Sequence, residues 1–253
     1  MALDFANSNA NYLTHVGAFV SQTDPRPCSV SLLFKADSAS AEPRHAFLNN
    51  AFTSNDPSLY LPIDRVSGTT YKQRLYSGGY VDGTDFTLDT NWNQYGWTWD
   101  TDDSVGFFFN GAANGTASKA TGGSALADNA AIGALGPTGG FDIGGEIAEF
   151  GFWSAILDAS EWAALGARYA PELVRVASLL SHLGGVRSNT VDRVGGDWVE
   201  NGTVATTVHP RIIYPSSVQV GVTAGAPPAG NNLAWKLTAN RPSLAGVGGG
   251  LVA

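Results

Sequence analysis

A chain of 253 residues with a formal charge of -8, only 14% charged side chains and 31 glycines has the composition of a turn-rich β protein, long enough to bury a large core. That balance excludes a nucleic-acid surface, because phosphate binding needs clustered Lys and Arg, and the 14 such residues form no run. No stretch reaches the eighteen or so apolar residues of a membrane helix, and the lone Cys28 excludes an internal disulfide.

In chain order, residues 2–34 give two strand candidates, divided by a loop from Ser21 to Pro27 whose Asp-Pro-Arg-Pro cannot join a hydrogen-bonded ladder. The start shows no basic segment followed by an apolar one, so no secretory signal is expected, and the expectation is folding in a cytosol or export by a route the sequence does not show. His45 to Phe52 is a further strand, stopped by Ser54, Asn55, Asp56 and Pro57. From Ser58 to Thr90 the pattern alternates around Tyr60, Ile63, Tyr71, Leu75, Tyr76 and Tyr80, which predicts two or three short strands. Trp92 to Asp100 and Val105 to Phe109 read as a hairpin across Thr101, Asp102, Asp103 and Ser104. Asn110-Gly111 then turns into a loop of small residues, Ala112 to Asp128, and Ala130 to Leu135 is another short strand. Turn signals about every ten residues are the pattern of an antiparallel sandwich.

Phe141 to Leu165 carries the sharpest local signals. Ala148, Phe150 and Phe152 alternate with Ile147, Glu149, Gly151 and Trp153, so both faces of this strand carry bulk. Asp158 and Glu161 then form a capping box, with Leu157 and Trp162 placed for a hydrophobic staple, and so predict a short helix. Beyond it, Pro171 to Ser216 contains an apolar run, a Leu-Gly-Gly turn, a D-x-x-G-G element from Asp192 and Asn201-Gly202-Thr203. Two readings stay open there: a pair of strands, or a second helix from Pro171 to Leu183 with Pro at its first position and Gly184 past its end. Ser217 to Ala253 is rich in Gly, Ala and Pro and cannot build a core, so it is read as a tail, either disordered or ordered only on a neighbouring subunit.

Several of these pieces resemble the laminin-G-like, concanavalin A-like jelly-roll domains. Ala2 to Val16 is similar to their opening strand, Cys28 to Ser38 to their K-x-D-S strand, Trp92 to Gly111 to their hairpin, and Phe141 to Leu165 to their last core strand and its small helix. The resemblance implies an all-β antiparallel sandwich over residues 1–216. The segment 171–216 normally begins such a domain and here follows the helix, which implies a circular permutation with its strands paired beside the N-terminal ones. Residues 217–253 form the separate tail. The run His209-Pro210-Arg211-Ile212-Ile213-Tyr214-Pro215-Ser216, with the glycine elements before it, is similar to laminin-G-like proteins encoded among the virion genes of tailed bacteriophages. What that resemblance implies is a non-enzymatic virion protein made in the host cytoplasm: a decoration, cement or fibre-associated subunit with capsid or tail proteins as partners and self-association as an option. The alternative is a carbohydrate-binding module that adheres to host glycan. Neither reading involves nucleic acid or a membrane.

The candidate chemistry is sparse. Glu146 and Glu149 are tested first, because glycosidases sharing this fold carry paired acids on one strand. A retaining pair needs carboxyls about 5 Å apart on one face, whereas positions i and i+3 of a regular strand face opposite ways. Tyr95, Trp97 and Trp99 alternate on one strand face and are the candidate sugar-stacking residues, with Tyr71, Tyr76 and Tyr80 as a second set. No cofactor is expected apart from calcium, for which Asp142, Asp102 and Asp103 are the candidate ligands; Asp100, Asp102 and Asp103 also suit a hairpin turn, and Asp82 and Asp85 are further loop acids without calcium-loop spacing. His15, His45, His182 and His209 lack zinc-site spacing.

Overall fold

The computed structural model describes residues 2–5, 11–15, 24–38, 44–49, 59–122, 130–133, 143–184, 194 and 198–214. Strands β1 (Ala2–Phe5), β2 (Tyr12–His15), β3 (Cys28–Ala36), β4 (Arg44–Asn49) and β5 (Tyr60–Ser67) come first. A series of hairpins follows through β6 (Thr70–Tyr76), β7 (Tyr80–Thr87), β8 (Asn93–Trp99), β9 (Ser104–Phe109) and β10 (Ala112–Ser118). The short β11 (Ala131–Ile132) and the long β12 (Gly145–Trp153) precede helix α1 (Ala159–Gly166). Two 3-10 turns, Pro171–Leu173 and Val176–Ser178, lead into β13 (Leu179–Leu183), β14 (Trp198–Asn201) and β15 (Ala205–Thr207).

Two antiparallel sheets face one another. One runs β10-β9-β8-β3-β12-β1-β15, with β13 also paired to β12, and the other runs β14-β2-β11-β4-β5-β6-β7. Between them lies one large apolar cluster that includes Leu3, Phe34, Phe47, Leu61, Tyr71, Phe107 and Phe150. The first two strands each take a neighbour from the C-terminal segment: Ala2 lies opposite Thr207, and Tyr12 opposite Asn201. This is the pairing that the permuted reading predicts. The rival second helix is reduced to two 3-10 turns, Pro171–Leu173 and Val176–Ser178, and Leu179–Leu183 is strand.

The small-residue stretch read as a loop from Ala112 begins instead with strand β10, paired to β9. Its residues are small for a packing reason. A Cβ at Gly115 would sit 3.0 Å from the backbone nitrogen of Thr84 on β7, and Asn114 Nδ2 donates to the Thr84 carbonyl at 3.0 Å, so the margins of the two sheets come together there.

Helix α1 closes the outer face of the first sheet. The capping box forms as the sequence predicts: Asp158 Oδ1 accepts from the Glu161 amide at 3.0 Å, and Glu161 Oε2 accepts from the Asp158 amide at 2.7 Å. Leu157 and Trp162 join Trp153, Leu165, Val174 and Leu179 in a second apolar cluster. The Trp162 indole stacks on Phe108 with ring centroids 4.3 Å apart. It lies directly over Gly96, where a Cβ would come within 2.2 Å of the ring, so β8 needs glycine at this position for the helix to dock. No helix among the described residues is long and apolar enough to cross a membrane.

Candidate functional site

The aromatic stripe expected to stack on sugars is core. Tyr95, Trp97 and Trp99 are 0%, 1% and 0% exposed, because β8 lies inside its sheet and turns this face toward the opposite sheet. Trp97 Nε1 donates to the Arg74 carbonyl at 2.9 Å and Trp99 Nε1 to the Lys119 carbonyl at 2.7 Å, so both indoles are anchored across the sandwich. Tyr71 is equally buried, and burial pushes the Cys28 thiol up to about 12.

The candidate calcium ligands serve the hairpin turn. Asp102 Oδ1 accepts from the Ser104 hydroxyl at 2.6 Å and the Ser104 amide at 2.9 Å, which holds its carboxyl below the usual range. Asp103, in a left-handed conformation at φ 70°, pairs with Arg26. Asp142 lies outside the described residues. Among those residues no group of three or more His, Cys, Asp or Glu is arranged to hold a metal ion.

Glu146 and Glu149 have separate commitments. Glu146 Oε1 accepts from Lys35 Nζ at 2.6 Å across β12 and β3. Glu149 sits at a β-bulge with φ 53°, where the pairing of β12 with β3 shifts register between Ala148 and Gly151. The bulge lets Ile147 and Phe150 both face the core although they are three apart. It also lies where one edge of β12 passes from β1, which pairs through Ile147, to β13, which pairs from Phe150.

There Glu149 is 4% exposed and surrounded by polar partners. His182 Nε2 lies 2.9 Å from Oε2, His209 Nε2 lies 3.0 Å from Oε1, and the Tyr214 hydroxyl donates to Oε1. Glu172 Oε2 stands 3.7 Å from the other ring nitrogen of His182. Burial alone would raise the Glu149 carboxyl, but hydrogen bonds from His182, His209 and Tyr214, with the charge of His182, outweigh it and hold the group at about 2. The structure thus joins two of the four scattered histidines, while His15 and His45 are buried apart, and burial brings His45 down to about 3. The network secures the segment 208–214, whose Ile213 is further held by backbone hydrogen bonds from its amide to the Arg168 carbonyl and from the Ala170 amide to its own carbonyl, both 2.9 Å. Enclosed by its own chain, Glu149 has no approach for a substrate and fastens structure instead.

An exposed polar and aromatic surface lies on the other sheet. Strand β6 alternates, with Tyr71, Gln73 and Leu75 inward and Lys72, Arg74 and Tyr76 outward. Its partner β7 sets Tyr80 opposite Tyr76, Asp82 opposite Arg74 and Asp85 opposite Lys72, while Asp64 of β5 meets Lys72 on the far side. The turn is Ser77-Gly78-Gly79, in which Gly78 takes φ 61° and passes so close to Gly122 that a Cβ would lie 2.4 Å from its carbonyl oxygen.

On this face the two tyrosine rings meet edge to face with centroids 4.9 Å apart, and the Arg74 guanidinium sits 4.7 Å from the Tyr80 centroid. Arg74 Nε donates to Asp82 Oδ1 at 2.8 Å and Nη1 to Asp64 Oδ2 at 2.6 Å, while Lys72 Nζ reaches Asp82 Oδ2 at 3.2 Å. Partial burial opposes ionisation of Asp82, yet the hydrogen bonds from Arg74 and Lys72 prevail and hold its carboxyl below the usual range. Tyr80 is 38% exposed. Of the aromatic candidates read from the sequence, Tyr76 and Tyr80 are therefore the ones brought to a surface, with fixed hydrogen-bonding groups beside them.

No family model matches the chain, and no curated protein matches its sequence. Among solved structures it is similar to the native heptameric SAP-like pentraxin of Limulus polyphemus, with a TM-score of 0.59 and 15% identity over 82% of this chain and 94% of that one. It is also similar to a protein of Bacteroides ovatus that carries a provisional assignment as carbohydrate binding, with a TM-score of 0.60 and 17% identity over 81% of this chain. The match spans 59% of the Bacteroides protein. At these identities the likeness is one of architecture, and the architecture is an antiparallel jelly-roll sandwich.

Proposed function

We propose that this chain is a non-enzymatic adhesion module that binds carbohydrate on the outer face of β6 and β7. The observation that carries the reading is the exposed Tyr80, paired with a half-buried Tyr76 beside an Arg74, Lys72, Asp82 and Asp64 network on the sheet. Such a face can stack an aromatic ring against a sugar while fixed donors and acceptors orient its hydroxyls. The provisional assignment of the Bacteroides protein gives the reading support from a shared fold. The test is a glycan array with the full chain and with Tyr80→Ala: the reading requires binding that this substitution weakens at least tenfold while the chain stays folded.

The resemblance of the His209 to Ser216 run to tailed-phage proteins supports placing the module on a virion. A second reading, a decoration or cement subunit held by capsid or tail proteins, is favoured by Tyr169 and Ile213, which are bridged through their backbones and 41% and 45% exposed where segment 208–214 ends. Peptide mass spectrometry on separated heads and tails tests the location. Recovery with heads at high copy supports the decoration reading, recovery with tails supports adhesion to a host, and absence from both removes the virion from either.

A further inference from the structure

We propose that the ligand of the β6 and β7 face is a neutral, hydroxyl-rich oligosaccharide, and that the same face rejects sugars bearing carboxylates. This rests on the glycan-binding reading above. Among the described side chains of β5, β6 and β7 this face sets Lys72 and Arg74 between Asp64, Asp82 and Asp85, on a chain whose formal charge is already -8; Arg44 of β4 lies opposite Asp64.

Both cations are also engaged. Arg74 spans Asp64 and Asp82, and Lys72 lies 3.2 Å from Asp82 and 3.8 Å from Asp85. An anionic sugar has to displace one of these carboxylates and then remain beside it, which like-charge repulsion opposes. A neutral sugar displaces nothing. An ionised carboxylate offers about four acceptor positions, and Asp82 and Asp85 have side chains 36% and 50% exposed, open to hydroxyl donors from solvent.

The strand period supplies the length of the site. Tyr76 with Tyr80, Arg74 with Asp82 and, past a register shift in β7, Lys72 with Asp85 form three cross-strand pairs on one face, evenly spaced along β6. At about 6.7 Å between pairs this is a strip about 13 Å long, with stacking at one end and acceptors along the rest. A strip of this kind suits a short run of sugar rings and places their hydroxyls over Asp82 and Asp85.

The experiment is isothermal titration of the full chain with neutral tri- and tetrasaccharides of glucose, galactose and mannose and with the same oligosaccharides ending in a uronic or sialic acid, at low and high salt. Tyr80→Ala and Asp82→Asn accompany the wild type. Neutral probes are expected to bind at least tenfold more tightly than their acidic counterparts, with little salt dependence, and Asp82→Asn to weaken them several-fold. Tighter, Tyr80-dependent binding of the acidic probes, strengthened at low salt, would overturn the ligand class while leaving the site in place. Absence of binding by both probe sets, or binding indifferent to Tyr80→Ala, would overturn the glycan-binding reading and this inference with it.

Discussion

The Glu149 network and the Tyr80 face are made of the same chemical parts, carboxylates, cations or imidazoles and tyrosine, yet solvent gives them opposite properties. Around Glu149, itself 4% exposed, His182 is fully buried and His209 and Tyr214 are half-buried, so losing the Glu149 to His182 hydrogen bond leaves a polar group that water cannot reach. Around Tyr80 the ion pairs remain in contact with water, where they contribute little to stability and leave acceptor positions of Asp82 and Asp85 open. A buried network fastens the fold, and an exposed one is free to recognise.

The largest effect that would break this contrast is on stability. Glu149→Ala is expected to cost about 3–5 kcal/mol, since it strips the common partner from His182, His209 and Tyr214. Asp82→Ala, which also removes a carboxylate that pairs with two basic groups, is expected to cost under about 1 kcal/mol. Denaturant titration of the two variants decides, and equal losses would erase the distinction.

Acid should act in the same direction. The Glu149 carboxyl is held at about 2 against an ordinary 4.5, so its contribution is complete above pH 4.5 and fades as pH falls toward 2. The loss across that window is roughly 3 kcal/mol, and a Glu149→Gln variant should lack this component in its stability profile. A smaller step, Tyr214→Phe, is expected to cost about 1.5–3 kcal/mol through one hydrogen bond to a charged acceptor, and to expose the 208–214 backbone to faster hydrogen exchange. Tyr80→Ala should shift stability by about 1 kcal/mol, from its contacts with Tyr76 and Arg74, leaving the chain folded, so a tenfold loss of glycan affinity reports contact with the sugar.

What could be read ahead of the structure was mostly local. The capping box at Asp158 and Glu161 needs only residues three apart, and the Tyr76 and Tyr80 rung needs only a hairpin. The direction of the Tyr95, Trp97 and Trp99 stripe was not legible, because β8 is covered on both sides, by the other sheet and by Trp162 over Gly96, and a period of two cannot say which cover is the core. Strand β10 was hidden by composition, since close approach to β7 demands residues that also mark loops. The Glu149 network was the least visible part. Its partners lie 33 and 65 residues downstream at His182 and Tyr214, and a carboxylate in an apolar strand says nothing of what will come to meet it. Arg74 was missed as a site residue, and Asp82 was read only as a loop acid although it lies on β7, because pairing across the turn, rather than spacing along the chain, makes the two neighbours.

Pairing Ala2 with Thr207 and Tyr12 with Asn201 has a consequence for how the chain reaches this state. During synthesis β1 and β2 emerge first but leave one ladder edge unfilled until residues past 198 have followed them out of the ribosome. Closing so distant a contact is slow relative to the local hairpins β5 to β7 and β8 to β10, whose strands pair with their sequence neighbours. For most of translation the nascent sandwich therefore exposes open strand edges to neighbouring chains, and its yield depends on how quickly the last strands arrive.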